Sequence, residues 1–436
     1  MEELLTTTQR SDGDRTPAPK PATLEQTGLS GEFVTDLILR LLYARGAHNL
    51  LELSTGLALA GSILEPLVNN LRYQAKVEST AEGGHPLYRL TDRGRRSAQE
   101  AFTRCAYIGP APVTLDHYEA ITAAQSFQGH LIRRDSLRAV LGNAVVDTEL
   151  LDQLGPALHS ARPALIYGPA GTGKTFIAKQ LIRAFDDSVL IPYAVIADGD
   201  VIRLYDPVIH RKVARDSGAL AFASGEDPRF IRCKRPMVVT GGELTLDMLD
   251  LQFGSDAGVA TAPVQMKSAN GVLLIDDLGR QRVAPDALFN RWIVPLEEGR
   301  DYLVDSAGHH VSVPFETLLI FSTNLNPNDL ADDAFLRRLG EKIRFDYCTP
   351  DRFRTIWNRV CTETAGAPED DLLAKLLRDY YKPSGRPMAP CHPRDLVDLA
   401  VSFARYRGEK KLLTEQSLAW AWNTYFVDDE AEERAC

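Results

Sequence analysis

The residues Gly168-Pro169-Ala170-Gly171-Thr172-Gly173-Lys174-Thr175 carry the spacing G-x-x-x-x-G-K-[ST]. A loop of this kind wraps an anion. Its glycines let successive backbone N–H groups turn inward, its lysine adds a point charge, and the Thr175 hydroxyl is a hard oxygen suited to a divalent cation. The loop is preceded by the apolar run Ala164-Leu165-Ile166-Tyr167, read as a buried strand, and followed by a helix over Phe176 to Phe185. A second apolar run, Val272-Leu273-Leu274-Ile275, ends in the paired carboxylates Asp276 and Asp277. Two carboxylates at the tip of a buried strand can hold a metal and activate a water.

Strand, glycine loop and helix in this order resemble the phosphate site of P-loop nucleotide hydrolases, and the remaining motifs resemble AAA+ ATPases over residues 150 to 427. The resemblance implies ATP and magnesium as ligands. Gly168, Pro169, Ala170, Gly171, Thr172, Gly173, Lys174 and Thr175 would hold the phosphates, with Thr175 and Asp276 on magnesium. Asp277 stands where the family usually carries a glutamate that polarises the attacking water, so the chain departs from the pattern by one methylene, which leaves a slow nucleotide-gated switch as an alternative to an ATPase that turns over. Thr317-Leu318-Leu319-Ile320-Phe321-Ser322-Thr323-Asn324 resembles the sensor 1 strand, with Asn324 as the water-orienting tip. Asp333-Ala334-Phe335-Leu336-Arg337-Arg338-Leu339 resembles the segment carrying an arginine finger for a neighbouring subunit. Arg338 fits that role best and Arg337 is the alternative, since spacing does not separate adjacent arginines. Arg394, early in a helix opened by Cys391-His392-Pro393, resembles sensor 2 of a helical lid; His392 itself reads as structural. The stretch Leu296 to Val313, with a hairpin turn at Ala307-Gly308, and Ala269-Asn270-Gly271 before the acidic strand are similar to Clp-type unfoldases and MoxR-type ATPases. No aromatic-apolar-glycine pore signature is evident.

The resemblance implies an α/β fold: a P-loop parallel sheet over residues 151–350 and a helical lid over 351–427. Ahead of them, residues 28–105 carry three short apolar helices (Phe33 to Leu42, Leu50 to Ala58, Ile63 to Leu71), the third opened by Ser62 and Glu65 as a capping box. A hairpin through Gly83-Gly84 and a last helix follow. The phrase Tyr88-Arg89-Leu90-Thr91-Asp92-Arg93-Gly94 is similar to the strand-to-helix exit of winged-helix domains. Residues 106–150 read as a connector, 1–27 as a disordered tail, and 428–436 as an acidic tail.

Composition sets the limits on partners. With 436 residues, 44% hydrophobic and 25% charged, the chain is long enough for two or three cores. A formal charge of −10 argues against binding nucleic acid through a broad basic surface. Residues 32 to 104 hold nine Lys or Arg against eight Asp or Glu, and the third helix offers Glu65, Asn69, Asn70 and Arg72. This balance favours a docking element for a protein partner, with DNA as the alternative through residues 28–105. The six scattered cysteines contain no CxxC pair, so they read as reduced thiols. No basic-apolar leader and no apolar run long enough for a bilayer is present, which places the expectation in the cytoplasm without membrane insertion. A finger useful only to a neighbour implies a homo-oligomeric ring, expected to be hexameric.

Overall fold

The computed structural model describes residues 18–82, 85–127, 132–142, 144–213, 225–330, 333–366 and 370–426. The hairpin turn Gly83-Gly84 and both expected terminal tails beyond residues 18 and 426 lie outside them. Two compact units emerge. One comprises residues 1–130, 185–274 and 281–319, the other 131–184, 275–280 and 320–436.

A five-stranded sheet has the order Met237–Thr240, Val272–Ile275, Leu318–Thr323, Ala164–Tyr167, Glu341–Arg344. Ala164–Tyr167 lies parallel to both of its neighbours, with Tyr167 level with Thr323 and Arg344. Val272–Ile275 and Leu318–Thr323 are buried at every position. Continuous apolar runs of four to six residues are what strands covered on both faces require. Because the strands are parallel and in register, Gly168 and Asn324 leave the sheet at the same end, where open α/β sheets bind ligands. In the second unit a separate apolar cluster is built on Phe353, Trp357, Leu376, Leu396, Val397 and Trp422, among the helices Pro350–Thr364, His392–Tyr406 and Glu415–Tyr425.

In the first unit the N-terminal helices span Gly31–Arg45, Leu50–Leu57 and Gly61–Tyr73, followed by strands Val77–Glu82 and His85–Leu90 and helix Asp92–Arg104. Helix Gly61–Tyr73 buries Ile63, Leu64, Val68 and Leu71, leaving Glu65, Asn69, Asn70 and Arg72 exposed. The capping box expected at Ser62 and Glu65 is not formed. The helix starts two residues earlier, after extended Ala60, so Ser62 lies within the first turn and no side chain caps the end. The reciprocal arrangement occurs instead at Asn49 and Glu52: Glu52 N–H donates to Asn49 Oδ1 at 2.9 Å and Asn49 N–H donates back to the Glu52 carboxylate at 2.8 Å.

This module shares its core with a second sheet, ordered Gln252–Phe253, Val259–Thr261, Asp200–Arg203, Ala194–Ala197, Val113–Thr114. Leu37, Leu41 and Leu57 belong to one buried cluster with Ala194, Val201 and Val259. The stretch read as a connector thus supplies an edge strand, Val113–Thr114, and the fully buried Tyr118. Residues 18–27, assigned by composition to the tail, are ordered. Arg229 is wholly buried, pairs with Asp227 at 2.7 Å, and donates to the carbonyls of Thr27 and Pro112. Asp227 N–H donates to Ala18 O at 2.8 Å. A buried guanidinium must spend its donors, and here the carbonyls of two distant segments take them.

Among the described residues no single helix is long and apolar enough to cross a membrane; the bent pair Leu50–Leu57 and Gly61–Tyr73 reaches that length and composition together, and its Leu53, Leu57, Leu64, Val68 and Leu71 belong to the core just described.

Gly94 sits where the last helix of the module crosses the turn at Lys76, and a Cβ there would lie 1.9 Å from Lys76 O. Gly94→Ala should destabilise the first unit by about 2 kcal/mol. A thermal melt should show a midpoint lowered by roughly 4–8 °C, and an unchanged midpoint would contradict this packing.

Candidate functional site

Gly168 leaves its strand with φ 139°, and a Cβ added there would stand 2.0 Å from Phe345 O, so glycine is required by close approach of the next strand. The loop then enters helix Lys174–Leu181 through Gly173 at φ 89°. The helix begins earlier than the expected Phe176 and gives way to a 3-10 turn at Ile182–Ala184. Gly171, Thr172, Gly173, Lys174 and Thr175 line a cavity of about 580 Å³, which also receives Asp277, Asn324 and Arg394. Pro169 is engaged through its carbonyl, which accepts from the Thr172 hydroxyl at 2.8 Å.

Lys174 is buried, and its ammonium donates to Gly168 O at 2.8 Å, Pro169 O at 2.7 Å and Asn324 Oδ1 at 2.7 Å. Burial holds its pKa below the usual lysine value, opposed by the charges of Asp277 and Asp276. The Thr175 hydroxyl donates to Asp276 Oδ1 at 2.9 Å. Asn324 Nδ2 lies 3.3 Å from Asp277 Oδ1. Asp277 has φ 50°, a left-handed conformation unusual outside glycine, braced by its N–H to the Asp276 carboxylate at 3.1 Å and by Arg280 N–H to its carbonyl at 3.0 Å. Strain of this kind is tolerated where neighbours over-determine it. Leu278 N–H donates to Ser322 O and the Thr323 hydroxyl donates to Leu278 O, tying the acidic turn to the Asn324 strand.

The structure therefore brings Lys174, Thr175, Asp276, Asp277 and Asn324 together at one end of the sheet. Arg394 lines the same cavity from the start of helix His392–Tyr406, with its guanidinium 3.5 Å from Glu363. Arg337 is exposed and Arg338 half-buried, and neither lines the cavity. His392 stacks on Tyr381 and its Nδ1 lies 2.8 Å from the Tyr381 hydroxyl. It stands outside the cavity lining.

Sequence reasoning missed three further cations on the wall, Arg280, Arg352 and Arg359, and the apolar pair Ala144 and Val145 from the presumed connector. Arg352 carried a signal: it sits in the first turn of helix Pro350–Thr364, where the helix dipole disfavours a cation. The cavity holds five cationic side chains and two carboxylates, Asp277 and Asp395, in a chain of net charge −10. Of these, Lys174 beside the loop suits a phosphate, while Arg352 and Arg359 are engaged with backbone carbonyls. Thr175 and Asp276 place two hard oxygens side by side, a donor set that fits magnesium, which takes one or two protein oxygens and completes its shell with phosphate and water. No cluster of three or more His, Cys, Asp or Glu suited to another metal occurs among the described residues.

Parallel sheet, glycine loop and acidic strand together define an α/β fold of the P-loop nucleotide-binding class. A family model described as "Domain of unknown function (DUF8689)" matches residues 349–424, the helical region after the sheet. No curated protein matches the chain in sequence. Similar solved structures include NtrX from Brucella abortus in complex with ADP, at 14% identity and a TM-score of 0.41, covering 69% of this chain and 60% of that one. The same protein in complex with ATP aligns at 13% identity and a TM-score of 0.38, over 79% of this chain and 67% of that one. A RuvB variant from Thermotoga maritima aligns at 14% identity and a TM-score of 0.37, over 70% of this chain and 74% of that one. These are loose likenesses, and no property of those proteins follows for this chain.

Burial pushes His392 down to about 4 from the ordinary 6.5. Between those values the unfolded chain binds a proton that the folded protein refuses, so stability is full above pH 6.5 and is lost as pH falls toward 4. His392→Gln should flatten that part of the dependence of melting temperature on pH. Parallel curves for the two proteins would show that His392 does not titrate this way.

Proposed function

We propose that this chain is a magnesium-dependent ATPase of AAA+ type, working as a homo-oligomeric, hexameric ring in the cytoplasm that remodels or assembles a protein partner. The observation that carries the ATPase reading is the chain of contacts Thr175–Asp276, Lys174–Asn324 and Asn324–Asp277, which gathers cation, metal donors and base around one cavity. In this reading the loop Gly168 to Thr175 cradles the phosphates and Lys174 shares charge with the outer ones. Thr175 and Asp276 hold magnesium, which when bound draws charge from the phosphoryl oxygens. Asp277 accepts the proton of the attacking water, which Asn324 orients. The shorter Asp277 side chain, where the family usually has glutamate, reaches outward from its left-handed turn. Arg394 contacts the phosphates from the lid.

Arg338, or Arg337 beside it, is lent to a neighbouring subunit's site to offset charge in the transition state. A protein partner is supported by the exposed face of helix Gly61–Tyr73, where Glu65, Asn69 and Asn70 accompany a single cation, Arg72. Such a face has little with which to neutralise phosphates, and a DNA titration with a steep salt slope would overturn that part of the reading.

Lys174→Ala should abolish ATP turnover by weakening binding, and Asp277→Asn should lower kcat by about 100-fold or more with ATP still bound. Arg338→Ala should be equally inactive alone. If sites are shared between subunits, mixing Arg338→Ala with Asp277→Asn should restore roughly a quarter of wild-type turnover, because one in four random interfaces joins an intact base to an intact finger. Two inactive proteins that stay inactive on mixing would remove the shared-site ring. Full activity of Arg338→Ala with loss in Arg337→Ala would move the finger to Arg337.

A further inference from the structure

The cavity has two chemistries. Its loop end is polar, while its other wall carries Ala144 and Val145 from one segment and Ile356 and Val360 from helix Pro350–Thr364. On that helix Arg352, Ile356, Arg359 and Val360 follow the spacing i, i+4, i+7, i+8 of a single face. The two apolar members face the cavity, and the two arginines reach the opposing segment. Arg352 Nε donates to Val145 O at 2.8 Å, and its Nη1 lies 3.4 Å from the Asp147 carboxylate. Asp147 in turn caps helix Thr148–Ser160 through Leu150 N–H at 2.8 Å. Arg359 Nη1 donates to Gly142 O at 2.9 Å. These donors are spent on the backbone carbonyls of Val145 and Gly142 rather than being left open for an incoming anion.

We propose that Arg352 and Arg359 are positioning residues that clasp Gly142 and residues 144–147 to helix Pro350–Thr364, and so build the apolar slot that gives this cavity its affinity for a nucleobase, separately from the loop's hold on phosphate. The inference rests on the nucleotide-site reading above. Without the clasp, Val145 and Ile356 would still be present, but the two walls would no longer be one piece. An aromatic ring gains from a slot mainly when both walls are preorganised at its thickness. The phosphate grip is built from other residues, Gly171 to Thr175, and is independent of the clasp.

The test compares two probes on the full chain, magnesium-ATP and magnesium inorganic triphosphate, by titration calorimetry. Wild type should bind ATP more tightly than triphosphate. Arg352→Met and Arg359→Met, which keep an unbranched apolar stem and lose the donors, should each weaken ATP about tenfold while triphosphate affinity stays within about twofold, the tenfold figure corresponding to one charge-assisted hydrogen bond. Arg359→Lys keeps a charge and a single donor for Gly142 O, and should retain ATP affinity within about threefold. That variant keeps the test decisive should a methionine variant fail to fold. Equal losses for both probes would place the guanidiniums on phosphate and overturn the clasp. Unchanged ATP affinity would overturn it as well. Wild-type protein that binds neither probe would instead overturn the nucleotide reading on which the clasp rests.

Discussion

The site depends on the solvation of one ammonium group. Lys174 is 6% exposed, yet it carries a charge that water would otherwise stabilise. Two loop carbonyls and Asn324 Oδ1 replace that water, at 2.7–2.8 Å. Each partner comes from a different structural commitment: the carbonyls from the curled loop after one strand, the amide from the tip of its parallel neighbour. Satisfying the cation therefore sets the loop's curl, the register of the two strands, and the position of Asn324 beside Asp277. A phosphate would exchange neutral acceptors for anionic ones, and the incompletely compensated cation favours that exchange.

Around this group the charges are arranged unevenly. The chain as a whole is acidic, while the cavity gathers five cations against two carboxylates. The cations differ in how they are held. Lys174 is locked by three acceptors; Arg352 and Arg359 are committed to the carbonyls of Val145 and Gly142; Arg394 is exposed, with Glu363 3.5 Å away. Groups already bound to the protein shape the cavity, and a loosely paired one can respond to what enters it. Asp277 belongs with the first kind: its left-handed backbone is braced from both sides, so its carboxylate is aimed by the turn more than by its own rotamer.

The first unit shows the same logic with buried charge. Arg229 and Asp227, both inaccessible to water, join residues 18–27 to Pro112 and to the chain near residue 229. Arg235 plays a related part, pairing with Asp187 at 2.6 Å while its guanidinium lies 4.7 Å from the Phe127 ring centre. Buried guanidiniums demand many acceptors, and in both places backbone carbonyls of segments far apart in sequence supply part of them, Thr27 and Pro112 for Arg229 and Gln125 and Asn270 for Arg235.

What could be read from the sequence was local. The glycine loop with its flanking strand and helix, the acidic strand, the Asn324 strand and the hairpin Arg300–Val304 with His310–Pro314 each announce themselves within a dozen residues, because glycine spacing, apolar runs and terminal polar tips are short-range patterns. Helix starts were less legible: Ser62 has the right neighbours for a cap, but the chain enters its helix at Gly61, and only the packing of Ile63 and Leu64 decides that phase. Residues 18–27 look too polar and proline-rich to order themselves, and alone they are; the acceptors they offer to buried Arg229 are tertiary facts. The segment 106–150 has no motif, yet it supplies a sheet edge and one wall of the cavity, since its role lies in backbone carbonyls, which every residue has and no sequence pattern marks. Residue chemistry alone determined that this protein carries a glycine loop ending in Lys174 and Thr175 and an acidic strand ending in Asp276 and Asp277. Which arginines surround that loop, and which are spent on backbone carbonyls, was decided only when helix Pro350–Thr364 met Gly142 and Val145 more than two hundred positions away.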